Sequence, residues 1–110
     1  MARKFDLVID QGSDYEVSFP VLDPSGQAQD LSGWSARSQV RGSVADVDVL
    51  HDFATELTLT GSSVTLTVPA AVSTTWAWTS AVYDLEVAAP GGAVTRLAEG
   101  AVIVRPEVTR

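Results

Sequence analysis

Asp14-Tyr15-Glu16-Val17-Ser18-Phe19-Pro20-Val21 is the stretch on which the fold turns. Its apolar set, Tyr15, Val17, Phe19 and Val21, alternates strictly with Asp14, Glu16, Ser18 and Pro20. A period of two sends successive side chains to opposite faces of a strand, so one face is buried and the other is wet. Pro20 has no N–H to give to a ladder, which predicts an edge strand or a strand end there.

Outward from this stretch the alternation recurs. Trp34, Ala36, Ser38 and Val40 alternate with Ser35, Arg37, Gln39 and Arg41. Val47, Val49, His51 and Phe53 alternate with Asp46, Asp48, Leu50 and Asp52. Leu57 and Leu59, then Val64, Leu66 and Val68, then Tyr83, Leu85 and Val87 repeat the pattern. Ala101-Val102-Ile103-Val104 is apolar on both faces, which suits a central strand or one covered by another subunit.

Turn chemistry separates these runs. Asp23-Pro24-Ser25-Gly26 reads as a type I turn, with Pro presetting φ at its second position. Thr60-Gly61-Ser62-Ser63 and Ala89-Pro90-Gly91-Gly92 read as hairpin turns. Short strands at this spacing predict an all-β fold, a single antiparallel β-sandwich of immunoglobulin-like or jelly-roll-like type. One segment does not alternate: Pro69 to Trp78 predicts a short helical or 3-10 crossover near residues 70–78, with Trp76 plugging one end of the sandwich. A short N-terminal arm (1–4) and a C-terminal tail (105–110) flank the sheet strands.

The chain has 110 residues, the size of one domain, so residues 1–110 are read as a single unit. It has no cysteine, which leaves neither a disulfide framework nor a thiolate metal site. The formal charge of −7 disfavours nucleic acid as a partner, because phosphate binding needs clustered cations. The opening residues are not a cleavable leader, and no apolar run approaches a membrane span. The expectation is a soluble protein made in a cytoplasm.

Little in the sequence points to chemistry. His51 is the one histidine, it shares a parity with Val47, Val49 and Phe53, and no nucleophile motif accompanies it. A packed or rim histidine is the expectation. Asp46, Asp48 and Asp52 form one acidic group, and Asp10, Asp14 and Glu16 another; without a metal-loop spacing each reads as a solvated surface. Asp84 and Glu86 are placed to pair with Arg37 or Arg41 across a sheet. Gly91-Gly92 sits in a hairpin with no helix after it, so it is no phosphate loop. No catalytic residue, cofactor or metal site is therefore expected. Trp34 reads as core, by its phase with Val40, and the Trp76/Trp78 pair as the place where an aromatic could anchor a partner.

The order of these motifs resembles a known group. Phe5-Asp6-Leu7-Val8-Ile9-Asp10-Gln11-Gly12-Ser13-Asp14 resembles the start of phage tail and baseplate sandwich domains, in which a strand reaches a Gln-Gly turn before an alternating second strand. Asp23-Pro24-Ser25-Gly26, Asp30-Leu31-Ser32-Gly33-Trp34 and Val82-Tyr83-Asp84-Leu85-Glu86-Val87 follow in that group's order. Thr95 to Val104 and the ending Arg105-Pro106-Glu107-Val108-Thr109-Arg110 complete it. Along its whole length the chain resembles small β-sandwich proteins of actinobacteriophages, of the kind found among minor tail and baseplate-associated virion proteins.

The resemblance implies a complete domain serving as a non-catalytic structural component of a bacteriophage virion, at the tail, the tail tip or the head–tail region. The partners it implies are other virion proteins and copies of the chain itself. A capsid decoration protein is the alternative within that class, and a carbohydrate-binding module for host attachment the alternative outside it. Expected contact residues are Arg3 and Lys4 in the arm, Trp76 and Trp78 in the crossover, and Arg105, Val108 and Arg110 in the tail.

Overall fold

A computed structural model describes residues 3–108. Nine strands are formed: β1 (Arg3–Lys4), β2 (Leu7–Asp10), β3 (Tyr15–Pro20), β4 (Ser35–Arg41), β5 (His51–Asp52), β6 (Leu57–Thr60), β7 (Ser63–Val68), β8 (Ser80–Ala88) and β9 (Val94–Arg105). A single helical turn, α1 (Ala70–Ser73), lies between β7 and β8. The strands make two sheets packed face to face. One has the order β1-β9-β8-β4-β5, with β2 also on β9; the other has the order β3-β7-β6. Two sheets packed face to face around one core, with a crossover joining them, make an all-β sandwich.

The core is the sum of the alternating faces. Leu7 and Ile9 of β2, Phe19 of β3, Val40 of β4, Val64, Leu66 and Val68 of β7, Leu85 and Val87 of β8, and Val102 and Val104 of β9 are all buried. Phe53, just beyond β5, is fully buried. β3 is an edge strand that ends at Pro20, where the missing N–H costs no ladder bond. β9 is interior, between β8 and the N-terminal strands, which accounts for its apolar run. Its outward Ile103 remains 40% exposed.

Aspartate and glycine build the turns. Asp23 Oδ1 accepts hydrogen bonds from Ser25 Oγ (2.6 Å), Ser25 N and Gln27 N, and Asp30 Oδ1 accepts from Ser32 Oγ (2.8 Å) and Ser32 N. The two Asp-x-Ser-Gly phrases are thus the same device, each closed by a glycine at positive φ, Gly26 and Gly33. The bonds from Ser25 and Gln27 hold the Asp23 carboxyl below its ordinary range, and those from Ser32 do the same for Asp30.

Three sequence expectations need correction. The sandwich is not wholly antiparallel: β1 and β2 run parallel to β9, Leu7 opposite Val102 and Arg3 opposite Ala98. The side-chain period is two in either direction, so alternation could not distinguish them. The N-terminal arm is in part this strand β1, and the C-terminal tail begins only after Arg105, the last residue of β9. Residues 46–50 are not strand. Only His51–Asp52 pairs with β4, at Val40 and Gln39, and Val47 is 85% exposed. β4 has a free flank there, and the Arg41 guanidinium takes the Asp46 and Val47 carbonyls that a ladder would need.

A close crossing locks the N-terminal strands. Between β1 and β2, Phe5 N donates to Glu99 O at 2.9 Å, and Asp6 Oδ1 accepts from Ala101 N at 2.9 Å. The Tyr83 hydroxyl reaches across to donate to Phe5 O at 2.6 Å. Gly100 is required beneath this crossing, since a Cβ there would lie 2.5 Å from Phe5 O. Burial holds the Tyr83 phenol well above its ordinary pKa, with Tyr15 and the Asp6 carboxylate adding to the shift.

Candidate functional site

The expected contact residues do not converge on one place. Arg3 is exposed at the start of β1. Lys4 is exposed and lies 3.9 Å from the Glu99 carboxylate. Arg105 pairs with Asp10 at 3.1 Å at the far end of β9. Val108 is exposed beyond the sheet, and Arg110 lies outside the described residues.

Trp76 must be withdrawn from the contact list. It is 8% exposed, with His51 at 5.2 Å and Phe53 at 6.4 Å between ring centroids. Trp78 stacks on it at 4.7 Å and is half-buried, so one face of that ring is also taken. The crossover is held from below. Gln11 Nε2 donates to Trp76 O (2.9 Å) and Ser73 O (3.3 Å), its Oε1 accepts from Glu107 N, and Gly12 N donates to Ser73 Oγ (2.9 Å). The Gln-Gly turn is therefore the joint between the N-terminal strand, α1 and the C-terminal segment. Trp76 plugs the sandwich end because the joint fixes its backbone there.

His51 is the candidate base, and its surroundings do not form a relay. His51 Nε2 lies 2.6 Å from Glu56 Oε1, and the Thr55 hydroxyl donates to Glu56 Oε2. A nucleophilic hydroxyl would have to donate to the histidine; here it donates to the acid. The carboxylate groups of the sequence are likewise spent separately: Asp14 caps Ala70 N at 2.8 Å, Glu16 accepts from Thr67, and Asp52 accepts from Ala54 N and Gln39. Among the described residues no group of three His, Asp or Glu side chains could hold a metal ion, and no helix is long and apolar enough to cross a membrane.

A concavity lies elsewhere, on the outward face of the six-stranded sheet. It is an open groove of about 770 Å³ floored by β4, β8 and β9. Register builds it row by row. Arg37 faces Glu86, which faces Arg96; Gln39 faces Asp84, which faces Glu99, with Lys4 next; Arg41 faces Val82, which faces Ala101. A β-bulge at Leu97 makes the first row possible, because it shifts β9 so that Arg96 falls opposite Glu86. Arg37 Nε donates to Glu86 Oε1 at 2.7 Å, and Arg96 reaches Glu99 at 3.1 Å and Asp84 at 3.5 Å. The bond that Arg96 donates to Glu99, with Asp84 beside it, raises the Arg96 pKa further above its already high value.

The loop of residues 43–50 rises at one margin of the groove, with Val44 among the lining side chains. Val44 is 92% exposed, and Val47, Val49 and Leu50 are also in solvent. The loop is nonetheless braced. Arg41 Nη1 donates to Asp46 O and Val47 O at 2.9 Å each, and Asp46 N donates to Ser43 O. The lack of a side chain at Gly42 leaves room for the Asp46 carboxylate, which a Cβ would crowd at 2.5 Å.

Sequence reasoning reached the Arg37–Glu86 pair by parity and missed the groove and the loop. One signal was available: Leu50 is apolar out of phase with Val47 and Val49, so the alternation fails there. Compared with protein-family models and with curated proteins, the chain matches none.

Proposed function

We propose that this chain is a non-catalytic structural component of a bacteriophage virion, at the tail, the tail tip or the head–tail region, assembling through protein–protein contacts. The order of turn and strand motifs supports the phage reading. The observation that carries assembly is the braced loop of residues 43–50, which presents Val44 and Val47 to solvent beside an ion-paired sheet face. Apolar side chains held in place by a guanidinium lose little freedom on docking, which favours a contact surface over a passive linker. A carbohydrate platform has less support, since Trp76 is buried and Trp78 is stacked on it.

Antibody-gold electron microscopy of phage particles purified from the bacterium that carries the gene tests this reading. Label at the tail or neck is the expected result. Label over the capsid surface would favour decoration instead. Purified particles without the chain would overturn the proposal.

A further inference from the structure

We infer that the outward face of the six-stranded sheet, with the loop of residues 43–50 at its margin, is where a second copy of this chain docks. This inference rests on the reading of the chain as an assembling virion part, and it names the partner and the surface.

The argument is electrostatic first. The groove is lined by four cations, Lys4, Arg37, Arg41 and Arg96, and by four carboxylates, Asp6, Asp84, Glu86 and Glu99. Its formal charge is zero. The whole of the chain's −7 therefore lies elsewhere, on ten acids against three arginines. Two copies meeting over this lining bring no net like charge together there, and each loop, with Asp46 and Asp48, would be set against the cations of the other's groove. Lys4, Arg37 and Arg96 are already paired with Asp84, Glu86 and Glu99 within one copy, and Arg41 and Asp6 are hydrogen-bonded to backbone groups, which limits the cost of covering these charges.

Size and apolar anchors agree. The molecule measures 46 × 28 × 20 Å, and the broad face of such a slab can supply the roughly 800 Å² per partner of a standard interface. Val44 and Val47 stand out from the groove margin on a loop fixed to the sheet by Arg41, and Val82 and Ala101 offer an uncharged strip on the groove floor. A two-fold related copy would set each loop against the other's groove, since both features lie on one face.

Sedimentation equilibrium of the full chain tests this. The wild type is expected to form a dimer at micromolar to tens-of-micromolar concentration. Val44→Asp is expected to weaken dimerisation on the order of tenfold or more, as does Arg96→Glu, which makes the face acidic. Thr58→Asp, on the outward face of the three-stranded sheet, is expected to leave the dimer intact. Circular dichroism and thermal melts verify that each variant folds; should Arg96→Glu fail to fold, Val44→Asp decides alone, because Val44 is in solvent. A wild type that stays monomeric at high concentration overturns the inference, and so does a dimer indifferent to Val44→Asp. A monomer found in purified virions would sink this inference and leave the virion reading standing; a dimer absent from virions would do the reverse.

Discussion

Gln11, Gly100 and the two tyrosines show how much single residues decide. Gln11 makes three bonds that join strand, crossover and C-terminal segment. Gln11→Ala leaves those backbone groups short of partners, and urea denaturation is expected to register a loss of about 1–3 kcal/mol. Gly100→Ala forces the Phe5 carbonyl away from β9 and strains the Tyr83 bond; a comparable loss, about 1–3 kcal/mol, is expected in the same assay. Burial raises the pKa of both Tyr83 and Tyr15. Their phenols stay protonated in the folded chain at a pH where the unfolded chain ionises. The folded state then binds more protons, so stability is whole below about pH 10 and falls as pH rises beyond it. Absorbance at 295 nm, followed through an alkaline titration, should rise together with unfolding; a rise near pH 10 with the fold intact would refute the burial of both rings.

Among the elements, the loop between β4 and β5 is the one whose behaviour is least obvious and most testable. Two Arg41 bonds, to Asp46 O and Val47 O, fix it, and a third, to Gln39 Oε1 within β4, steadies the guanidinium. Arg41→Ala is expected to speed amide exchange across residues 43–50 while lowering global stability by no more than about 1.5 kcal/mol. Arg41→Lys should not restore slow exchange, since a single ammonium cannot reproduce the planar fork. Strands were legible in the sequence wherever both neighbours imposed burial, as for Tyr83, Leu85 and Val87 of β8. They were misread at Val47 and Val49, because alternation in a segment with no strand to pair with carries no structural consequence. The parallel pairing of Leu7–Asp10 with β9 left no trace in the alternation, since both directions share one period. The crossover was legible for the opposite reason: Pro69 to Trp78 broke the period, and α1 with the buried Trp76 fills that gap.

At the scale of the molecule, the distribution of charge matters more than its total. The acidic surface surrounds a neutral, ion-paired face assembled from strands far apart in sequence, so no local motif announces it. Two copies meeting through that face still carry like net charge around its rim. Self-association should therefore strengthen from low to physiological ionic strength, as salt screens the rim; weakening with salt, in light scattering, would show instead that cation–carboxylate pairing between copies prevails. Amide hydrogen exchange on the chain inside purified phage particles, set against the free chain at high dilution, tests assembly through this face most directly. The expected result is slowed exchange at residues 43–50 in the particle, with the turn at Gly61 and Ser62 unchanged. Loop amides that exchange as fast in the particle as in the free chain, or particles that lack the chain, would contradict it.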